Sequence, residues 1–201
     1  MGIDNLKLLL FSGGLDSTAV AFWQKPDQLL FIDYGQISAD GELRAAGQLA
    51  IELGIPLDAR RANCRAFGSG HLAGQPALNP ELPEVWPFRN QLLITLAAAA
   101  YHEQSSLVIQ IGTVASDKVH SDGRKQFFFR INKLLAYQSN CRIEAPAIDF
   151  TSLQLIRMSK LPSALLAWTF SCHRGNLACG LCRGCTKHYE TVAALREFET
   201  D

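Results

Sequence analysis

Apolar residues in this chain follow two rhythms. Runs with little polar interruption stand at 6–11, 29–33, 55–59 and 107–112, with a weaker one at 142–145. Turn-forming Gly, Asp, Ser or Asn flank each run, as expected for short strands buried on both faces. Between them, 16–23, 39–53, 90–102, 126–137 and 153–159 carry the spacing of helices. Strand and helix alternate, so the chain is read as an α/β fold: a parallel twisted sheet with helices on both faces. Ligands of such sheets gather beyond the carboxyl ends of the strands. Ser12–Ser17, Asp33-Tyr34-Gly35-Gln36 and Gly112-Thr113 all fall at that edge. Residues 63–87 break the alternation. They carry Gly68, Gly70, Gly74, Pro76, Pro80, Pro83 and Pro87, an excursion expected to be a lid or a subunit contact.

Composition narrows the classes. At 201 residues and 48% hydrophobic, the chain can bury one full core. The reading is a domain over 1–160 with a smaller segment, 161–201, packed on it. A net charge of zero gives no global field toward nucleic acid or acidic membranes. The charge is uneven, however. Between Phe150 and Tyr189 stand Arg157, Lys160, Arg174, Arg183 and Lys187 with no acidic residue, a stretch suited to facing phosphates. The Ala-rich stretch 92–100 is too short to cross a bilayer. The first apolar run is short and follows Asp4, unlike a signal peptide. A cytoplasmic protein is expected, in which six cysteines argue for metal or reactive thiols before disulfides.

The chemistry begins at Phe11-Ser12-Gly13-Gly14-Leu15-Asp16-Ser17-Thr18. A strand breaks at two glycines and turns into a helix that Asp16 and Ser17 can open. Glycines let backbone amides approach a bound group, and the positive end of the new helix suits an anion, most naturally phosphate. Ser12, Ser17 and Thr18 add hydroxyl donors. No GxxxxGK[ST] lysine follows, so this is not a Walker loop. The string SGGLDS resembles the PP-loop of ATP pyrophosphatases. Asp16 suits Mg²⁺, a hard cation that prefers oxygen ligands, or a helix cap.

Near the C-terminus Cys172, Cys179, Cys182 and Cys185 are spaced C-x6-C-x2-C-x2-C. Four thiolates can enclose one tetrahedral Zn²⁺, coordinatively closed and therefore structural. An iron–sulfur cluster or a redox disulfide pair are the competing readings. His173 and His188 are alternative ligands. Cys64 and Cys141 stand alone as ordinary thiols.

Taken together, the chain resembles the 7-cyano-7-deazaguanine synthase (QueC) family from about Leu6 to Ala194. The resemblance is carried by SGGLDS, Asp33–Gln36, Glu42, Arg89-Asn90, Ile111-Gly112 with Asp117, Asp122 and Phe127, and the SC…CGxC…C tail. It implies an ATP-dependent ligase. ATP adenylates the carboxylate of 7-carboxy-7-deazaguanine, pyrophosphate leaves and ammonia gives an amide. A second ATP then activates the amide oxygen, and loss of AMP gives the nitrile. It further implies ATP over residues 11–18 with Asp33, Tyr34 and Gly112. Ser12, Asp16, Ser17 and Arg89 would act in catalysis. Arg89, Asn90, Asp117, Asp122 and Phe127 would hold the deazapurine. Cys172, Cys179, Cys182 and Cys185 would hold Zn²⁺. A homodimer is the family expectation.

Three departures stand out. Pro87-Phe88 replaces the family's Pro-Gly and puts a bulky ring near the presumed site. His120-Ser121-Asp122-Gly123 replaces a YPDC-like segment. Thr151-Ser152 replaces a Thr-Lys pair whose lysine is expected to neutralise phosphate, leaving Lys160 or Arg157 as nearby substitutes. QueC-like relatives also occur in bacterial antiviral gene clusters, where the activated deazapurine could be joined to another amine, including a protein's. Two other classes compete. An inactive nucleotide-binding paralog would bind ATP without releasing pyrophosphate, and a zinc-ribbon nucleic-acid binder would show steep salt dependence.

Overall fold

The computed structural model describes residues 5–199. Five strands form its sheet: β1 (Leu6–Leu10), β2 (Gln28–Asp33), β3 (Leu57–Arg61), β4 (Leu107–Ile111) and β5 (Cys141–Glu144). Every pairing is parallel, in the order β3-β2-β1-β4-β5. The chain builds outward from β1 to β3, then returns to the other side of β1 for β4 and β5. The crevice at the carboxyl ends of β1 and β4 is therefore the switch point of the sheet.

Alternation along the strands sorts the core into two layers. Leu8, Leu10, Leu30, Ile32, Ile109 and Ile111 face α4 (Arg89–Ala100) and α5 (Lys125–Ala136), through Ile94, Ala97, Phe128, Ile131 and Leu135. Leu9, Phe11, Leu29 and Phe31 face α1 (Leu15–Gln24), α2 (Ala39–Leu53) and α6 (Ser152–Ser159). Each fully buried leucine of the central strands is worth about 1.5–3 kcal/mol. The uninterrupted apolar runs are thus what two covered faces require.

The expected elements recur with small shifts. The third strand lies at 57–61 instead of 55–59, because the chain is still leaving α2. Gly54 caps that helix in a left-handed turn, and the Ile55 N–H donates to the Ala50 carbonyl at 3.1 Å. As the edge strand, β3 carries Asp58, Arg60 and Arg61, which no two-sided burial pattern reveals.

The excursion 63–87 is ordered. It contains a 3₁₀ turn at Arg65–Phe67 and α3 (Gly70–Ala73). Leu72, Ala73 and Trp86 join the core, with the Trp86 ring edge-on to Tyr34 at 4.8 Å. After α6 come the short α7 (Ser163–Leu166), the cysteine segment and a long α8 (Arg183–Glu199). Helix α8 has no counterpart in the sequence reading. Among the described residues, no helix is long and apolar enough to cross a membrane.

Candidate functional site

The loop after β1 is shaped by hydrogen bonds that its own residues supply. Phe11 continues the strand, donating its N–H to Leu30 at 2.8 Å. Gly13 then turns with φ +73°, and a Cβ there would stand 2.6 Å from the Ala46 nitrogen. The Gly14 carbonyl accepts from the Thr18 N–H (3.0 Å), the Thr18 hydroxyl (2.8 Å) and the Ser17 hydroxyl (3.1 Å). Ser12 Oγ accepts from the Gly14 N–H at 3.3 Å and lies 3.5 Å from Ser17 Oγ. Thr18 spends its hydroxyl inside the loop and, like Gly13, does not reach the cleft.

A cavity of about 820 Å³ opens at this switch point. Its walls include Phe11, Ser12, Gly14, Leu15, Asp16 and Ser17 from the loop, then Tyr34 and Glu42, Arg89 and Asn90, Gly112 and Asp117. β4 ends so close to α1 that a Cβ on Gly112 would sit 3.0 Å from the Ser17 Cα. The sequence-predicted residues therefore meet in one place, with five exceptions among the non-metal set. Gly13 and Thr18 are the first two. Asp33 turns aside, accepting from the Gly35 N–H at 3.0 Å and from Arg61 Nε at 2.6 Å. Asp122 sits behind the wall and holds the start of α4. Its carboxylate accepts the Asn90 N–H at 3.0 Å, and its carbonyl accepts the Asn90 side chain at 2.9 Å. Phe127, which the resemblance assigns to the deazapurine, also lies away from the cavity: it packs on the core edge-on to Phe128 at 5.2 Å.

Electrostatics divide the cleft. On one side Arg89 lies among Tyr34, Asp122, Asp117 and Glu42. Burial works against its charge, but these groups outweigh burial and raise its pKa. Burial pushes the Tyr34 phenol well above its ordinary value. Burial also raises the pKa of Glu42, although its oxygens accept from Ser38 at 2.7 Å and from Gln36 at 3.0 Å. On the other side Asp16 Oδ2 accepts from Lys187 Nζ at 2.8 Å, and Asp117 Oδ1 lies 4.0 Å from the same nitrogen. Asp16 Oδ1 is buried without a hydrogen-bond partner, an oxygen positioned to bind a cation such as Mg²⁺.

Phe88 departs from what its sequence position implies. It has φ +57° and its side chain is 74% exposed, so the ring points out of the cleft. Neither Arg157 nor Lys160 lines the cavity. The sequence does not place several lining residues at the cleft: Glu84 goes unmarked, His173 reads as an alternative metal ligand, His120 only as part of a departing segment, and Arg183 and Lys187 only as local charge. Arg183 Nη1 donates to the buried Glu84 at 2.5 Å, and His120 lies 3.8 Å from the same carboxylate. Burial lowers the His173 pKa to about 4, and its Nδ1 has no partner. The available signal for Lys187 was helical. It does not point to the cleft: Lys187 stands about 200° around the helix from Cys185, off the face shared by Cys185, Val192 and Leu195.

The ligand atoms of Cys172, Cys179, Cys182 and Cys185 all lie within 4.8 Å of one another, and no disulfide joins them. Tetrahedral Zn–S bonds of about 2.3 Å require sulfurs about 3.8 Å apart, close to the 4.0 Å between Cys179 and Cys185. The His173, Arg174 and Cys185 N–H groups donate to thiol sulfurs at 3.3–3.5 Å. The Leu181 and Cys182 N–H groups hold the Cys179 thiol down at about 6. This donor set fits a closed tetrahedral metal, and a Cβ on Gly184 would strike the Ser171 carbonyl.

A doubly wound parallel sheet with a glycine loop at its switch point, walled by a four-cysteine segment, is the architecture of the PP-loop fold. The family model described as Queuosine biosynthesis protein QueC matches residues 7–195. The chain belongs to the QueC family. It is 32% identical to 7-cyano-7-deazaguanine synthase 1 of Desulfitobacterium hafniense (strain Y51), covering 97% of this chain and 93% of that protein. The 7-cyano-7-deazaguanine synthase of Campylobacter curvus is 28% identical, covering 88% of this chain and 87% of that protein. That of Pyrococcus horikoshii is 28% identical over 90% of both chains.

Proposed function

We propose that this chain is an ATP-dependent carbon–nitrogen ligase that converts 7-carboxy-7-deazaguanine through the amide to the nitrile, with ammonia as the amine. The observation that carries the reading is the joining of the glycine loop, Asp16 and Arg89 in one cavity. A carboxylate is a poor electrophile, so its oxygen must become a leaving group before an amine attacks. Catalysis is then mostly alignment and charge neutralisation. In this reading the Gly14 amide and the Ser12 and Ser17 hydroxyls receive the phosphates at the N-terminus of α1. Arg89 grips the substrate carboxylate as a two-pronged donor. Asn90 and Asp117 take the deazapurine edge, while Asp122 acts through Asn90. Mg²⁺, held by Asp16, would offset polyphosphate charge. Zn²⁺ on the four cysteines would serve structure alone and fix the segment 161–201 on the nucleotide domain 1–160.

Products of the metal-loaded protein with ATP, Mg²⁺, 7-carboxy-7-deazaguanine and ammonium, followed by mass spectrometry, test the reading. Amide and nitrile with AMP and pyrophosphate are expected. ATP binding without pyrophosphate release would instead indicate an inactive paralog.

A second acceptor has one observation in its favour. Phe88, next to Arg89, and Leu181, on the cleft wall, are 74% and 81% exposed. Such an apolar rim suits a polypeptide, so a protein amine is the alternative nucleophile, as it would be in an antiviral setting. Quantitative conversion to nitrile with ammonia alone would remove it. Phe67 and Leu78, 81% and 75% exposed on the excursion, support a homodimer through that segment. Light scattering that gives monomer at all concentrations would remove the dimer.

A further inference from the structure

Three permanently charged cations line the cleft among the described residues, and two are committed elsewhere. Arg183 is bonded to Glu84 at 2.5 Å, and Arg89 sits among Tyr34, Glu42 and the carboxylates of the substrate side. The third, Lys187, alone touches a residue of the glycine loop. Its ammonium lies 2.8 Å from Asp16 Oδ2 and 4.0 Å from Asp117 Oδ1, and its side chain keeps 33% of its exposure. It is thus reachable from the cleft, not locked in the core.

The N-terminus of α6 opens onto the same cavity through Thr151, Ser152 and Leu153. Ser152 Oγ is buried there without a hydrogen-bond partner. A short hydroxyl at this position leaves a donor facing the cleft but no charge, and no lysine follows it on α6. The wall opposite must supply the cation.

We propose that Lys187 is the residue that neutralises the nucleotide's polyphosphate in this chain. Without nucleotide, Asp16 and Asp117 hold its ammonium at the mouth of the glycine loop. When the polyphosphate arrives, Lys187 exchanges the Asp16 carboxylate for phosphate oxygens. Asp16 then presents both oxygens, one of them already unpartnered, to the accompanying divalent cation. Ser152 Oγ donates to the same phosphates from the α6 side. The lysine's place follows from the cysteine segment, since it lies two residues beyond Cys185 on the first turns of α8. The inference rests on the ligase reading.

The experiment measures ATP·Mg²⁺ affinity of the metal-loaded protein by calorimetry, alongside metal content and the thermal midpoint. Wild type, Lys187→Met, Lys187→Arg and Lys160→Met are compared. Lys187→Met is expected to weaken ATP by at least about tenfold, the usual cost of losing one hydrogen bond to a charged group. Lys187→Arg should retain affinity within about threefold, because it keeps the charge and reach. Lys160→Met, outside the cleft, should match wild type. Wild-type affinity in Lys187→Met would overturn the role of this lysine alone. A wild-type protein that binds no ATP would overturn the ligase reading and this inference with it.

A second measurement uses the unaltered protein, so folding of a variant cannot decide it. An ATP acyl-phosphate probe transfers its acyl group to a lysine amine beside the polyphosphate, releasing ATP and a proton. Peptide mapping should find Lys187 acylated, and excess ATP should block the label. No ATP-blockable label on Lys187 would overturn the proposal.

Discussion

Replacing Gly13 with alanine should cost far more than the one methyl it adds. The residue turns at φ +73°, where an L side chain costs about 1–2 kcal/mol. The new Cβ would also stand 2.6 Å from the Ala46 nitrogen and 3.0 Å from Ala45, in backbone that cannot rotate away. Ala46 is fully buried in α2, so loop and helix must separate, an overpacking penalty of about 1–3 kcal/mol. The sum is about 2–5 kcal/mol, or a fall of about 4–20 °C in Tm for a chain of this size. Gly47 supplies the internal control. It lies on the same helix, and a Cβ there would meet nothing within 4 Å. Gly47→Ala should therefore gain about 0.5–1 kcal/mol through lower backbone entropy in the unfolded chain. Circular dichroism against temperature and urea, with metal bound, reads both. The Gly13 carbonyl also accepts the Phe170 N–H at 2.9 Å, so the variant should weaken ATP binding as well. Equal Tm values for the two variants, or a Gly13→Ala cost under about 1 kcal/mol, would refute a loop held by close backbone contact.

Other outcomes follow from the same structure. Glu42 has its pKa raised above 4.5 by burial, so the folded state holds its proton longer than the unfolded chain does. Stability from this group is present at low pH and is lost as pH climbs through 4.5 toward the folded value. Glu42→Gln should gain on wild type in urea titrations as pH rises, and a constant difference from pH 4 to 7 would count against it. Cys172→Ser, or a strong chelator, should abolish bound metal, lower Tm and weaken ATP together, because α8 carries Lys187. Metal loss with unchanged ATP affinity would separate the segment from the cleft. Thr151 and Gln154 form a reciprocal cap on α6, with bonds of 3.2 and 2.9 Å. Thr151→Ala should cost about 1 kcal/mol, a Tm fall of about 2–4 °C.

Legibility in the sequence followed burial. β1, β2 and β4 are buried on both faces and declared themselves as apolar runs. α2 was readable to its ends because Gly54 stops it and its apolar face repeats at helical spacing. The edge strand β3 and the excursion were less legible, since half of their side chains answer to solvent or to loops. The long helix α8 escaped because it begins inside the cysteine motif, where thiols were read as ligands and not as a buried helical stripe. With it went Lys187 and Arg183, visible only as unplaced charge. Glu84 was similarly hidden, because what makes it a cleft residue is a partner 99 positions away. The Phe127 assignment shows the opposite error. Three consecutive phenylalanines on a helix point in three directions, and the sheet took Phe128, with Phe127 beside it.

The cysteine segment does more than fasten the end of the chain. Phe170 donates to the Gly13 carbonyl, Asn176 Oδ1 accepts the Gly41 N–H at 3.1 Å, and the Asn176 amide donates to Asp40 at 3.1 Å. Arg183 reaches the excursion at Glu84, and Lys187 reaches the loop at Asp16. Each contact meets an element that builds the cleft: the glycine loop, the start of α2, or the excursion. A Cβ on Gly41 would strike the Phe170 ring at 2.8 Å, so the segment lies flush against α2. With this wall absent, the glycine loop would face solvent, and an anion bound there would be screened. With it in place, the loop's amides act in a walled cavity, where charge interactions are stronger than in open water. A metal closed by these four thiolates, inert in itself, would thereby set the geometry and the field of the cleft.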